Sequence, residues 1–237
     1  MDWFPLLNSL RIALIACGIV FFAGMFAARL VSRLGMSRRG QALKGFLDAV
    51  LTLPLVLPPT VAGYLLLLLL GPRRPLGSWF LSVFQIPLTM NWYSGIFAAV
   101  VVAFPLMYRT ARGAFESFDE TLAWAGQTMG LSNTYIFWRI RLPACRSGLS
   151  AGLVLSFARA LGEYGATSMI AGYTPGRTAT ISTTVYQLWR TGEEGLAFYW
   201  VLVNLAISLA VLLAVNILEK GRGRADGSDR GHKKKTG

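Results

Sequence analysis

Arg159 and Glu163 are the two side chains of this sequence that most need a chemical explanation. They stand four residues apart, on one face of any helix, inside the apolar run LSAGLVLSFARALGEYGATSMIA. At that spacing a guanidinium and a carboxylate can neutralise each other as a structural pair. Alternatively Arg159 can draw an anion past, with Glu163 offsetting the attraction, and that offset favours the structural pair. A charge at mid-membrane costs roughly 2.5–3.5 kcal/mol on insertion scales, so each residue is a functional candidate. Thr167, Ser168 and Thr60 add hydroxyl donors, and an anion in passage is served better by such weak contacts than by a tight charged site. Catalysis finds no equipment. His232 is the one histidine and lies in a polar tail, no nucleophile stands beside a base, and there is no G-x4-G-K-[ST] phosphate loop. Cys17 and Cys145 are too few for a disulfide framework or a zinc site and read as free thiols. Gly221, Gly223 and Gly227 in GRGRADG neither follow a strand nor open a helix. An intramembrane enzyme is disfavoured, no metal or cofactor is expected, and any energy source belongs to another chain.

The elements that must hold these residues are apolar helices. Of 237 residues 54% are hydrophobic and 14% charged, and the apolar residues gather into blocks near the ~20 that cross a bilayer. The fold class is an all-α polytopic membrane protein. Five core spans are expected at about Leu10–Leu30, Phe46–Leu70, Tyr93–Tyr108, Leu149–Ala171 and Phe198–Leu218. The third is short and should continue as helix through the polar RTARGAFESF stretch. A sixth, short segment, Ser78–Ile86, reads as an interfacial or re-entrant helix. The N-terminus has no basic region before its apolar block, so the first span is expected to stay in the mature chain. Residues 1–220 form one transmembrane domain, and 221–237 a basic, disordered tail.

Orientation follows from the cations. Arg29, Arg33, Arg38, Arg39 and Lys44, then Arg109, Arg112, Arg139, Arg141 and Arg146, then the basic tail all fall on one side of the spans; Arg11, Arg73, Arg74, Arg177 and Arg190 are the thinner set opposite. Lys and Arg in short loops resist translocation, which puts the N-terminus outside and the C-terminus in the cytoplasm. The net charge of +12 reads as topology and attraction to anionic headgroups of the bilayer, and the lysine-rich tail does not read as a nucleic-acid site.

Two kinds of interruption break the apolar pattern. Pro54, Pro58 and Pro59 withdraw backbone donors inside the second span, which lipid tolerates only where protein or water satisfies the freed carbonyls. They imply a kinked helix at the centre of the assembly, in packing or in gating. Gly148 with Gly152, and Ala158 with Gly162, form small-xxx-small pairs that allow close helix approach in the fourth span. The second interruption is a cytoplasmic loop over about 116–147. Within it Gly130 can take the left-handed conformation that ends one helix, and Ser132 or Asn133 can cap the next. The result is a two-helix knob able to dock in a partner's groove.

In that loop Gly130, Ile140, Leu142 and Pro143 stand in the pattern G-x9-I-x-L-P. This resembles the Glu-Ala-Ala loop of permease subunits of bacterial ATP-binding-cassette importers, whose pattern opens E-A-A where this chain has Trp124, Ala125 and Gly126. The resemblance implies a coupling loop that receives the motion of a cytoplasmic ATPase subunit; the tryptophan departs from the family's acidic residue. Leu53–Pro72 and Phe157–Trp189 look like the permeases of molybdate importers, and the resemblance extends from about Leu10 to Leu218. It implies an external oxyanion-binding protein that carries most of the selectivity. Sulfate and thiosulfate permeases share much of the ARALGEYGA region and remain the alternative; tungstate has the shape and charge of molybdate. Five spans give too little wall for a sealed alternating pore, so a homodimer is expected. A passive channel or structural subunit would have no use for the knob.

Overall fold

In the computed structural model, residues 2–34 and 38–232 are described. The chain is helical, with no strand among those residues. Helix α1 (Phe4–Ser32) begins with Pro5 in its first turn, where the missing N–H costs nothing. It lays a stripe of mostly small residues, including Ala13, Ala16, Val20 and Ala28, against α5 (Ser94–Glu116). The approach is close, since a Cβ on Gly24 would come within 2.8 Å of Met107 Cγ. Helix α5 is the axis of the fold. Ala98, Ala99, Val102, Ala103, Met107 and Tyr108 are buried along it, and it runs through the polar stretch to Glu116 as the sequence predicts.

Two predicted spans differ from expectation. The second is not one kinked helix but two, α2 (Arg38–Val56) and α3 (Pro59–Leu70), bent by 109°. Consecutive prolines cause the break. Pro58 and Pro59 supply no donors for the carbonyls of Pro54 and Leu55, and each pushes its predecessor towards extended backbone. Pro58 accordingly sits at φ −53°, ψ 134°, and Pro59 opens α3. The fourth is also interrupted, into α9 (Arg146–Leu161) and α10 (Gly165–Ile170), with Glu163 at the break. Among the described residues three helices are long and apolar enough to cross a membrane, α1, α5 and the stretch Glu194–Leu213 that begins the last helix, or four where the bent pair is counted as one span.

Pro75–Phe84 (α4) is the short apolar helix expected near Ser78–Ile86. Between α5 and α9 lie α6 (Glu120–Thr128), α7 (Asn133–Ile136), a π-helical turn over Phe137–Arg141, and α8 (Leu142–Ala144). Helix α11 (Ile181–Arg190) starts at a Thr180–Thr183 capping box. The last helix, α12, spans Glu194–His232; residues 233–237 of the tail lie outside the described residues. The main core joins α1, α5 and α9, and a smaller one joins α3, α5 and α10 around Leu66, Ala98, Val102, Ala166 and Ile170.

Candidate functional site

The loop after α5 folds as two arms. Asp119 caps α6, accepting from Thr121 N at 2.9 Å and from Thr121 Oγ1 at 2.7 Å, and those two donors hold its carboxyl below the usual range. At the other end Gly130 stands at φ +78°. Its N–H donates to Gln127 O at 2.9 Å while Leu131 N donates to Gly126 O at 3.0 Å, the paired bonds of a Schellman cap. Ser132 then caps α7 by accepting from Tyr135 N at 3.2 Å. Gly126 and Ile140 meet where the arms cross: a Cβ on Gly126 would lie 3.1 Å from Ile136 Cγ1 and 3.3 Å from Ile140 Cδ1. Arg141 Nη2 ties the second arm to the first through both oxygens of Glu120, at 2.6 and 2.5 Å.

Pro143 lies in the first turn of α8, which the chain enters through the π turn, where Leu142 N donates to Phe137 O. The wider turn suits a proline that cannot bond the carbonyl four residues back. Beneath the arms Arg29 stacks on the Phe137 ring at 3.4 Å, joining the loop to α1. A cleft of about 490 Å3 separates the end of α5 from the start of α9, with Phe118, Leu122 and Cys145 among its walls. The Cys145 thiol is buried and donates to Ala114 O at 3.1 Å; burial pushes it up from the ordinary thiol range. Cys17 is likewise a buried free thiol. On the outer side of the arms Trp124, Met129, Tyr135 and Trp138 are all about half exposed or more.

The remaining predicted site residues divide into two groups. Pro59 and Thr60 come together with α10: a Cβ on Gly165 would lie 2.8 Å from Pro59 Cβ and 3.1 Å from Thr60 N, and one on Gly63 only 2.7 Å from Ala166 Cα. Thr167 is buried and Ser168 half-buried, its hydroxyl bonded to Gly165 O at 2.9 Å, whereas Thr60 is exposed. Pro54 stands apart, within α2. Arg159 Nη1 lies 2.6 Å from Glu163 Oε2, and Glu163 Oε1 accepts from Ala166 N at 2.7 Å. The carboxylate thus closes the ion pair and caps α10 together. Its side chain is 1% exposed, that of Arg159 31%. Of the small-residue pairs, Gly148 and Gly152 do press against α5, at Ala114 and Met107, while Gly162 meets only its own helix.

One polar cluster escapes a reading in which Lys44 and Arg112 are merely orientation charges. Lys44 and Asp48 on α2 face Tyr108, Arg112 and Glu116 on α5. Lys44 pairs with Glu116 at 2.8 Å, Arg112 with Asp48 and with Glu116 (2.9 Å), and the Tyr108 hydroxyl donates to Asp48 at 2.8 Å. The legible signal is the spacing: opposite charges four apart on each helix, with Tyr108 one turn before Arg112.

Residues 20–224 match the family described as the binding-protein-dependent transport system inner membrane component. The chain belongs to that family. This inner membrane component is 39% identical over 214 residues to the molybdenum transport system permease protein ModB of Escherichia coli (strain K12), covering 90% of this chain and 91% of that protein. It is 36% identical over 211 residues to the putative molybdenum transport system permease protein YvgM of Bacillus subtilis (strain 168), covering 89% and 91%. The sulfate transport system permease protein CysW of Synechocystis is 33% identical over 175 residues, covering 74% of this chain and 63% of that protein. In fold, the inner membrane component is similar to a chain of the MetNI methionine ABC transporter in an inward-facing conformation, with TM-score 0.71 and 14% identity over 93% of this chain and 99% of that one.

Proposed function

We propose that the chain is the permease subunit of an ATP-driven molybdate importer. The observation that carries this is 36–39% identity, across about nine tenths of the chain, to proteins named as molybdenum permeases. In this reading two copies enclose the pathway, an external binding protein delivers the oxyanion, and the N-terminus lies outside. The arms, with the Trp124–Pro143 loop at their tip, dock an ATPase subunit. Their geometry supports the role: the arms are braced to each other by Gly126, Ile140 and the Glu120–Arg141 pair, and they leave Trp124, Met129, Tyr135 and Trp138 free for a partner's groove. Trp124 then supplies apolar contact where relatives in the Glu-Ala-Ala pattern offer a carboxylate.

The pathway is assigned to the region where α3 meets α10. Thr60 offers an exposed hydroxyl there, Thr167 and Ser168 would have to turn theirs from the folded packing to reach the anion, and Arg159 and Glu163 hold the break in the fourth span rather than bind it. Sulfate is the second reading, favoured by the CysW match. Uptake of radiolabelled molybdate by cells relying on this permease, with tungstate and sulfate as competitors, tests both. Tungstate should compete at equal concentration and sulfate only in large excess; equal competition by sulfate would replace molybdate with the sulfate reading.

A further inference from the structure

The cluster between α2 and α5 has an unusual place in the fold. Lys44 and Asp48 are the inward-facing charges of α2, whose opposite side carries exposed Leu43, Phe46, Val50 and Leu53. So α2 turns charge inward and apolar surface outward. The two helices run antiparallel, and the charges alternate along the seam as a neutral ladder: Lys44 to Glu116, Arg112 to Asp48, and Arg112 to Glu116 within α5, with the Tyr108 hydroxyl closing the inner end. The four charged side chains are 20–40% exposed. Apart from it, α2 is attached mainly through half-buried Leu47 and Leu51.

The two ends of the ladder touch different machinery. Glu116 is the last residue of α5, and three residues later Asp119 caps the first arm of the loop. Asp48 is about two and a half turns before the 109° bend at Leu57–Pro58, beyond which α3 packs on α10 through Pro59 against Gly165 and Gly63 against Ala166. Charge pairs suit a joint of this kind, because they can shear and re-form along a polar seam where close-packed apolar side chains would have to separate.

We propose that Lys44, Asp48, Tyr108, Arg112 and Glu116 are positioning residues for transport, a ladder through which displacement of the loop arms reaches α2 and, past its bend, the α3–α10 contact. This rests on the reading of those arms as the ATPase-docking knob. Their role is to keep ATP hydrolysis tied to substrate movement.

The test uses the permease assembled with its ATPase and binding protein in proteoliposomes, reading molybdate transported per ATP hydrolysed. Asp48→Asn and Glu116→Gln should each lower that ratio about 10-fold while ATP hydrolysis stays within about 2-fold of wild type. Reversing all four charges together (Lys44→Glu, Asp48→Lys, Arg112→Glu, Glu116→Lys) preserves every ion pair, with the Tyr108 hydroxyl turned from donor to acceptor at position 48, and should restore the ratio to within about 3-fold. Where a charge variant assembles poorly, Tyr108→Phe, which removes one hydrogen bond and no charge, should still lower the ratio about 3-fold. A wild-type ratio in the assembled variants overturns the ladder's role, as does a fourfold reversal no better than the single changes. Failure of the unmodified permease to bind the ATPase overturns instead the reading of the arms.

Discussion

Removing Glu163 should damage this permease more than its size suggests. Its two oxygens hold Arg159 at 2.6 Å and the Ala166 N–H at 2.7 Å, and its side chain is 1% exposed. Glu163→Ala therefore leaves a half-buried guanidinium without its counter-charge and the first turn of α10 without its acceptor. Breaking a buried pair from one side costs about 3–5 kcal/mol, a factor of at least ~100 in a folding equilibrium at 1.4 kcal/mol per decade. Arg159→Ala should be comparable, because it strands the carboxylate. The informative variant is the double change Arg159→Met, Glu163→Gln. It discharges both sites and keeps a side-chain oxygen to accept from Ala166 N, so the expected loss falls to about 1 kcal/mol, of the order of one neutral hydrogen bond. Thermal stability and yield of assembled protein in detergent measure all three, with molybdate uptake alongside. The reasoning is refuted if the double variant is as unstable as the singles. If it assembles like wild type and imports nothing, Arg159 belongs to the anion's route and not to the scaffold.

Two further outcomes are expected. Gly130→Val should loosen the loop arms, raising hydrogen exchange over 120–141 and abolishing ATPase co-purification. With nothing within 4 Å of an added Cβ at φ +78°, the cost of about 1–2 kcal/mol or more is purely conformational, so Gly130→Asn should remain close to wild type, and equal damage from both would refute that cause. The second concerns Cys145. Burial raises its pKa, so its thiolate fraction at neutral pH lies below that of an ordinary cysteine. In permeabilised membranes at pH 7 a maleimide should modify a cysteine introduced at Tyr135 at least ~10-fold faster than Cys145, with the gap narrowing as pH rises; equal rates at pH 7 would contradict the packed setting.

The long helices were legible because hydrophobic run length alone decides them, and Tyr93–Tyr108 could be extended to Glu116 because nothing in RTARGAFE stops a helix. The chain reversal at Gly130 was legible for a similar reason: helix caps are local chemistry. The 109° bend was not. Two prolines announce that a helix ends, but the new direction is set by Gly63 and Gly165 letting α3 lie against α10, a contact made a hundred residues away. The break at Glu163 hid inside a run whose average hydropathy suits one continuous span. The π turn over Phe137–Arg141 that leads into Pro143 had no local signal, since its wider backbone bond spans residues with ordinary helical preferences. The charge ladder was hidden by use: Lys44 and Arg112 served as orientation signals, and nothing local pairs Asp48 with a tyrosine 60 positions later.

That separation gives the ladder a history as well as a position. A ribosome working at ~5–20 residues per second takes about 3–12 s to go from Asp48 to Tyr108. For that interval α2 has left the exit tunnel with its own lysine and aspartate and none of their partners. Lys44 and Asp48 are four residues apart on that helix and can screen one another. The nascent helix carries a provisional counter-ion within itself, to be exchanged when α5 arrives. A chain halted before Arg112 has only that internal pair to neutralise the charges of α2, which the finished fold pairs with Arg112 and Glu116 on α5 instead.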